Sequence, residues 1–117
     1  MIKIYTDGSC YKNPGPGGWA AIILKDTNQK IISGKQKNTT NNQMELTAAI
    51  KALEYFSQKQ EVVIFTDSNY VKEGITNWIK VWKKKDWKNS KKKPVKNIDL
   101  WKKLEELDNF HKVNGNG

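Results

Sequence analysis

The chain reads as a single α/β domain: a mixed sheet of three antiparallel strands followed by a parallel strand, with helices packed on the sheet. Three observations predict it. Three strand-like runs with short connections open the chain, a helical pattern follows, and the next apolar run closes on nearly the same residues as the first. A helix between two such runs implies a right-handed crossover and parallel pairing. At 117 residues there is room for one modest core, and neither an internal repeat nor a linker divides it.

The opening run, Lys3-Ile4-Tyr5-Thr6-Asp7-Gly8-Ser9, sets β-branched and aromatic residues before a glycine turn, so an extended segment delivers Asp7 where pairing stops. Cys10 to Gly18 is rich in proline and glycine and predicts a shaped loop. Trp19 to Leu24 reads as a buried strand, Asp26 to Gln29 as a turn, and Lys30 to Lys37 as the hairpin partner. Thr40-Asn41-Asn42-Gln43 has the form of a capping box, from which a helix should run to about Ser57. Leu46, Ala49, Ile50, Leu53 and Phe56 share one face of that helix, and Glu45 falls on the same side. An acid there is paired, protonated or bound to a metal, because an unpaired buried carboxylate is costly; a solvated edge position is the alternative.

Val62-Val63-Ile64-Phe65-Thr66-Asp67-Ser68 is the second strand ending in Thr-Asp, apolar enough to be covered on both faces. Its pairing beside the first strand places Asp7 and Asp67 at one end of the sheet, where ligands of open sheets gather. Ser68 caps a helix from Asn69 to about Asn77, and a further short helix carries Trp78 and Trp82. A last helix runs from about Ile98 to Asn109 and buries Leu100, Leu104 and Leu107. Trp78, Trp82 and Trp101 read as core.

The formal charge is +9, and its distribution says more than its size. Lys80 to Lys96 holds nine lysines against one acid, Asp86, so the basicity is a local patch. Such a patch suits phosphate-rich partners, because each neutralised phosphate releases a counterion; the alternative is a solvated loop. Every basic residue is lysine, which lacks the planar fork that reads guanine edges, so backbone contact is favoured over sequence readout. Trp87 lies inside this run, where its ring can stack on sugar or base. The single cysteine excludes an intramolecular disulfide. With no basic-apolar-small leader and no long apolar run, the expectation is a soluble cytoplasmic protein.

Asp7, Glu45 and Asp67 are hard oxygen donors on three rigid elements. Magnesium favours few carboxylates together with substrate phosphates, and two ions roughly 4 Å apart can drive in-line phosphodiester hydrolysis. N-cap or salt-bridge roles are the structural alternative for the same acids.

Five segments together carry a resemblance. Tyr5-Thr6-Asp7-Gly8-Ser9-Cys10, Asn13-Pro14-Gly15-Pro16-Gly17-Gly18, Thr39-Thr40-Asn41-Asn42-Gln43-Met44-Glu45-Leu46, Thr66-Asp67-Ser68-Asn69-Tyr70-Val71 and Lys92-Lys93-Pro94-Val95-Lys96-Asn97 closely resemble cellular ribonuclease H of the bacterial type. The match covers residues 1 to 112 in the family's order and spacing. It implies a ribonuclease H-like fold and endonucleolytic cleavage of the RNA strand of RNA/DNA hybrids, leaving 5′-phosphate and 3′-hydroxyl ends, with Mg2+ or Mn2+ as cofactor. It implies that Asp7, Glu45 and Asp67 are catalytic metal ligands. By the same resemblance Asn13, Asn41, Asn42 and Gln43, with Cys10 and Asn69 nearby, meet the hybrid's minor groove and its 2′-hydroxyls. Thr40 and Asn97 match a pocket for a DNA-strand phosphate. Lys83, Lys84, Lys85, Trp87 and Lys88 belong to the basic protrusion that helps hold the hybrid. For Cys10, a small packed thiol is the alternative.

The family continues with a fifth strand, a loop bearing a histidine, a fourth metal-binding aspartate and a final helix, and this reading expects all four to be missing. On that expectation Val62 to Thr66 is an exposed sheet edge, an aggregation risk in an otherwise monomeric chain. Without the fourth carboxylate one metal is expected to bind weakly and hybrid cleavage to be severely reduced or absent, with a non-catalytic hybrid- or duplex-binding module as the alternative function. His111 is expected at the surface or as a helix cap, and neither it nor Asp108 takes over the missing roles.

Overall fold

The computed structural model describes residues 1–115. Its sheet has five strands in the order β3-β2-β1-β4-β5: β1 (Ile2–Cys10), β2 (Gly15–Lys25), β3 (Asn28–Thr39), β4 (Glu61–Thr66) and β5 (Lys112–Gly115). The first three pair antiparallel, while β4 runs parallel to β1 and β5 parallel to β4. The helical elements are α1 (Asn41–Glu54), α2 (Asn69–Glu73), a π-helical turn (Gly74–Trp78), α3 (Ile79–Lys84) and α4 (Ile98–Phe110). No helix among the described residues is long and apolar enough to cross a membrane.

Burial alternates along β1, with Ile2, Ile4, Thr6 and Gly8 covered and Lys3, Tyr5, Asp7 and Ser9 on the open face. The covered face meets α1, whose Leu46, Ala49, Ile50 and Leu53 are buried against Ile4, Ile23, Val62 and Ile64 in one core. Fully burying side chains of this size is worth roughly 1.5–3 kcal/mol each, which fixes the face that α1 presents. The open face carries Tyr5 stacked on Phe65, ring centroids 4.8 Å apart, so β4 is covered fully on one side only.

Several boundaries differ from the sequence reading. The strand β2 begins at Gly15, inside the segment read as loop, because Gly17 and Gly18 pair with Cys10 and Ser9 across the sheet. Helix α1 ends at Glu54, three residues early. From Asn69 to Lys84 the helical elements follow one another without a break, the π turn standing where two separate helices were expected. That turn holds Gly74 against the fully buried Trp101, where an added Cβ would lie 1.9 Å from the indole ring. The glycine is a packing requirement.

The expected absence of a fifth strand is overturned. Residues Lys112 to Gly115 pair in parallel register with Glu61 to Ile64, so that much of the outer edge of β4 is occupied rather than exposed. Asparagine and glycine disfavour a strand locally, but the unpaired N–H and C=O groups of β4 supply partners that local propensity does not show. His111 is the C-cap of α4, one of its two expected places, but it is not at the surface, being 2% exposed. Its Nδ1 accepts from the Gln60 N–H at 3.0 Å, and its Nε2 lies 3.1 Å from the Leu53 carbonyl oxygen. Nδ1 is therefore the acceptor nitrogen, and Nε2–H donates to a carbonyl in the last turn of α1, where intrahelical partners run out. The ring delivers the chain onto the edge of β4.

Candidate active site

The last parallel pair between β1 and β4 is Thr6 with Thr66, so Asp7 and Asp67 leave the same end of strands that lie about 4.8 Å apart. Both are exposed. Ser68, next in the chain, accepts from the Val71 N–H at 3.2 Å and starts α2, which turns the backbone sharply behind Asp67.

Glu45 reaches this end from the first turn of α1. A Cβ on Gly8 would stand 2.4 Å from the Met44 carbonyl carbon, so only glycine lets the helix backbone lie directly on the strand. Glu45 is 8% exposed, which removes the solvated-edge alternative. Burial raises its pKa above the ordinary value; the Gly8 N–H works against the rise, and the charges of Asp7 and Asp67 add to it. Three carboxylates thus sense one another from three elements. The Glu45 Oε1 oxygen is buried with no hydrogen-bond partner.

An orphaned carboxylate oxygen beside two further acids is a donor set suited to a hard divalent cation. Among the described residues, no group of three acidic, histidine or cysteine side chains is drawn together closely enough to hold an ion as it stands. Two like charges at 4 Å repel by about 4 kcal/mol at an effective dielectric of 20, so uncompensated carboxylates stand apart. A cavity of about 470 Å³ opens beside Asp7, walled on its far side by Lys35. Sequence reasoning did not single out Lys35; its register, through Gly18 to Ser9, puts it on the face of Asp7.

The polar residues cluster at the N-terminus of α1. Asn13 Oδ1 accepts from the Asn41 N–H at 3.1 Å, tying the loop after β1 to the helix start, with Asn41 and Asn42 exposed beside it. Thr40 caps the helix by accepting from the Gln43 N–H at 3.2 Å. The Gln43 side chain does not reach back as a capping box would. Its Oε1 accepts from Thr39 Oγ1 at 3.0 Å and its Nε2 donates to Asn97 Oδ1 at 3.1 Å. Cys10 is half-buried and its thiol points at the carbonyl oxygens of Lys12, Gly15 and Thr39, at 2.9, 3.4 and 3.3 Å. That arrangement staples the loop. Asn69 is exposed at the start of α2, close behind Asp67.

The lysine-rich segment is an ordered projection. Asp86 and Trp87 both take left-handed backbone angles, φ 55° and 58°, and reverse the chain after α3. Lys88 bridges Pro94, and Asn89 Oδ1 accepts from the N–H groups of Lys91 and Lys93. The Trp87 ring is half-buried 6.1 Å from that of Trp82, with Lys102 Nζ 5.8 Å from its centroid, so packing takes up much of its surface. Lys83, Lys84, Lys85 and Lys88 are all exposed, Lys83 held to Glu105 at 2.8 Å and Lys88 lying 3.8 Å from Asp86.

The family model described as RNase H matches residues 1–116. The chain is 56% identical over 112 residues to ribonuclease H of Ehrlichia chaffeensis, covering 96% of this chain and 77% of the relative. With ribonuclease H of Parvibaculum lavamentivorans it shares 52% identity, covering 97% of this chain and 75% of the relative. Among solved structures, LC9-RNase H1, a type 1 RNase H with the type 2 active-site motif, superposes with a TM-score of 0.84 at 27% identity, over 97% of this chain and 60% of that one. The solution structure of the PFV RNase H domain gives 0.72 at 27% identity, over 98% and 78%.

Proposed function

The chain belongs to the ribonuclease H family, endoribonucleases that hydrolyse the RNA of RNA/DNA hybrids, and we propose that Asp7, Glu45 and Asp67 are the residues with which it does so. The observation that carries the assignment is the buried, partnerless Oε1 of Glu45, a side chain that senses the charges of Asp7 and Asp67. Mg2+, or Mn2+ in its place, would supply Lewis-acid polarisation of the phosphodiester and neutralise the charge that builds on it. Glu45 holds the fixed position, its depth set by Gly8, while Asp7 and Asp67 close from the strand ends.

Asn13, Asn41, Asn42 and Gln43, with Cys10 and Asn69 alongside, form the surface we assign to the minor groove, where 2′-hydroxyls distinguish RNA from DNA. Thr40 keeps its hydroxyl proton free while its oxygen caps α1, and with Asn97 it makes the pocket for a DNA-strand phosphate. Lys84, Lys85 and Lys88 add non-specific attraction to the hybrid backbone, with Lys83 and Trp87 supporting the projection. A non-catalytic hybrid binder is the second reading, favoured by the standing separation of the carboxylates.

Incubation of a labelled RNA/DNA hybrid with Mg2+ separates the two. Nicked RNA with 5′-phosphate ends, absent with RNA/RNA and DNA/DNA duplexes and lost in Asp7→Asn, is the expected result. Retention of hybrid without nicking at any Mg2+ or Mn2+ concentration would establish the binder instead.

A further inference from the structure

A chain of side-chain hydrogen bonds runs from the hydrophobic core to the start of α1. The Tyr70 hydroxyl oxygen accepts from the fully buried Trp101 Nε1 at 3.0 Å and from Asn97 Nδ2 at 3.1 Å. Asn97 Oδ1 then accepts from Gln43 Nε2, and Gln43 Oε1 accepts from Thr39 Oγ1. Four separate segments are joined in this way: α2, the residue before α4, the first turn of α1, and the end of β3.

Asn97 stands at the N-cap of α4, where asparagine ordinarily turns its side chain onto the helix's free N–H groups. Here it makes no such bond, and its backbone is left-handed at φ 60°. Its amide is held by Tyr70 on one side and Gln43 on the other. A cavity of about 300 Å³ lies against these residues, lined by Gln43, Asn97, Ile98, Asp99 and Leu100. The second N–H of each amide is unused by this chain of bonds and remains available to an acceptor.

We infer that Tyr70 is a positioning residue for the phosphate pocket, its hydroxyl fixing the Asn97 amide, and through Gln43 the start of α1, so that their spare N–H groups face a nucleic-acid phosphate. This rests on the assignment of Thr40 and Asn97 to that pocket. Tyr70 also follows Asp67 by three residues, in the first turn of α2 just past its Ser68 cap, so one short element sets both a catalytic carboxylate and the pocket's donors. The aromatic ring packs on Trp78 and Trp101, at 5.6 and 5.1 Å between centroids, and supplies a rigid base for the hydroxyl.

The test measures binding of a fluorescent RNA/DNA hybrid across a range of salt concentrations, without divalent metal, for the unmodified chain, Tyr70→Phe, Asn97→Ala and the double variant. Losing one well-aligned hydrogen bond predicts about fivefold weaker binding by Tyr70→Phe. The salt slope should stay as it is, because the pocket's donors are neutral amides and their contacts release no counterion. The double variant should bind no worse than Asn97→Ala, and Thr39→Val, which cuts the far end of the chain, should shift binding in the same direction. In the 15N spectrum the Asn97 side-chain amide should move in Tyr70→Phe while the backbone pattern is retained. If Asn97→Ala weakens binding but Tyr70→Phe leaves affinity unchanged, the positioning role is overturned and the pocket stands. Independent, additive losses overturn it equally. If Asn97→Ala itself binds as the unmodified chain does, the pocket assignment falls and the role of Tyr70 with it.

Discussion

Replacing His111 with leucine should cost about 2–4 kcal/mol of folding stability. The imidazole is 2% exposed, accepts from the Gln60 N–H at 3.0 Å, and lies 3.1 Å from the Leu53 carbonyl oxygen. Leucine has nearly the right bulk but neither polar atom, so it leaves one backbone donor without its partner and deprives one backbone acceptor of its better one. Each orphaned group costs about 1–3 kcal/mol. Leu53 retains a long contact from the Phe56 N–H at 3.4 Å, and Gln60 is only half-buried, which holds both costs toward the lower end. At a few degrees per kcal/mol for a domain of this size, the midpoint should fall by roughly 10 °C. Urea unfolding followed through tryptophan fluorescence gives the free energy, and amide exchange at Gln60 reports the bond directly. A loss below about 1 kcal/mol, with Gln60 as protected as before, would show that the ring does not join α1, β4 and β5 as described.

Gly8→Ala should displace α1 by about 1 Å, because the new Cβ meets helix backbone at 2.4 Å; misplacing Glu45 by that distance predicts about a hundredfold loss of hybrid cleavage, read in single-turnover assays against a thermal melt. Glu45→Gln should stabilise the fold at neutral pH while removing Mg2+ binding. The reason is linkage: the raised pKa of Glu45 means its contribution is present below the ordinary value of 4.5 and lost as pH rises through the folded value, a loss glutamine does not suffer. Unfolding midpoints against pH and a Mg2+ titration check both halves. Glu105 behaves oppositely. Its hydrogen bond from Lys83 lowers its pKa, so the stability it adds is present above the ordinary value and lost as pH falls through the folded one. Since Lys83 is half exposed, Glu105→Gln should cost no more than about 1 kcal/mol at pH 7, and acid titration of the melting midpoint should bring the two chains together.

Much of the architecture was legible because it rests on short-range patterns. The alternation along β1, the Thr40 cap and the helical face of Leu46, Ala49, Ile50 and Leu53 are written in neighbouring residues, and crossover handedness follows from chain chirality. The pairing of two Thr-Asp strand ends then placed Asp7 and Asp67 together, and the helical period put Glu45 on the buried side. What local pattern cannot carry is who else offers a partner. The segment from Lys112 to Gly115 is a strand because β4 has an open edge; Gly15 to Gly18 joins β2 because β1 lies beside it; Gln43 leaves its cap because Asn97 and Thr39 are within reach. His111 and Tyr70 owe their importance to contacts 51, 58 and 31 residues away along the chain. Hydrogen bonds saturate and point in fixed directions, so a polar side chain's role is decided by the one or two groups that tertiary packing sets opposite it. Apolar periodicity needs only a face, and a face is readable in sequence.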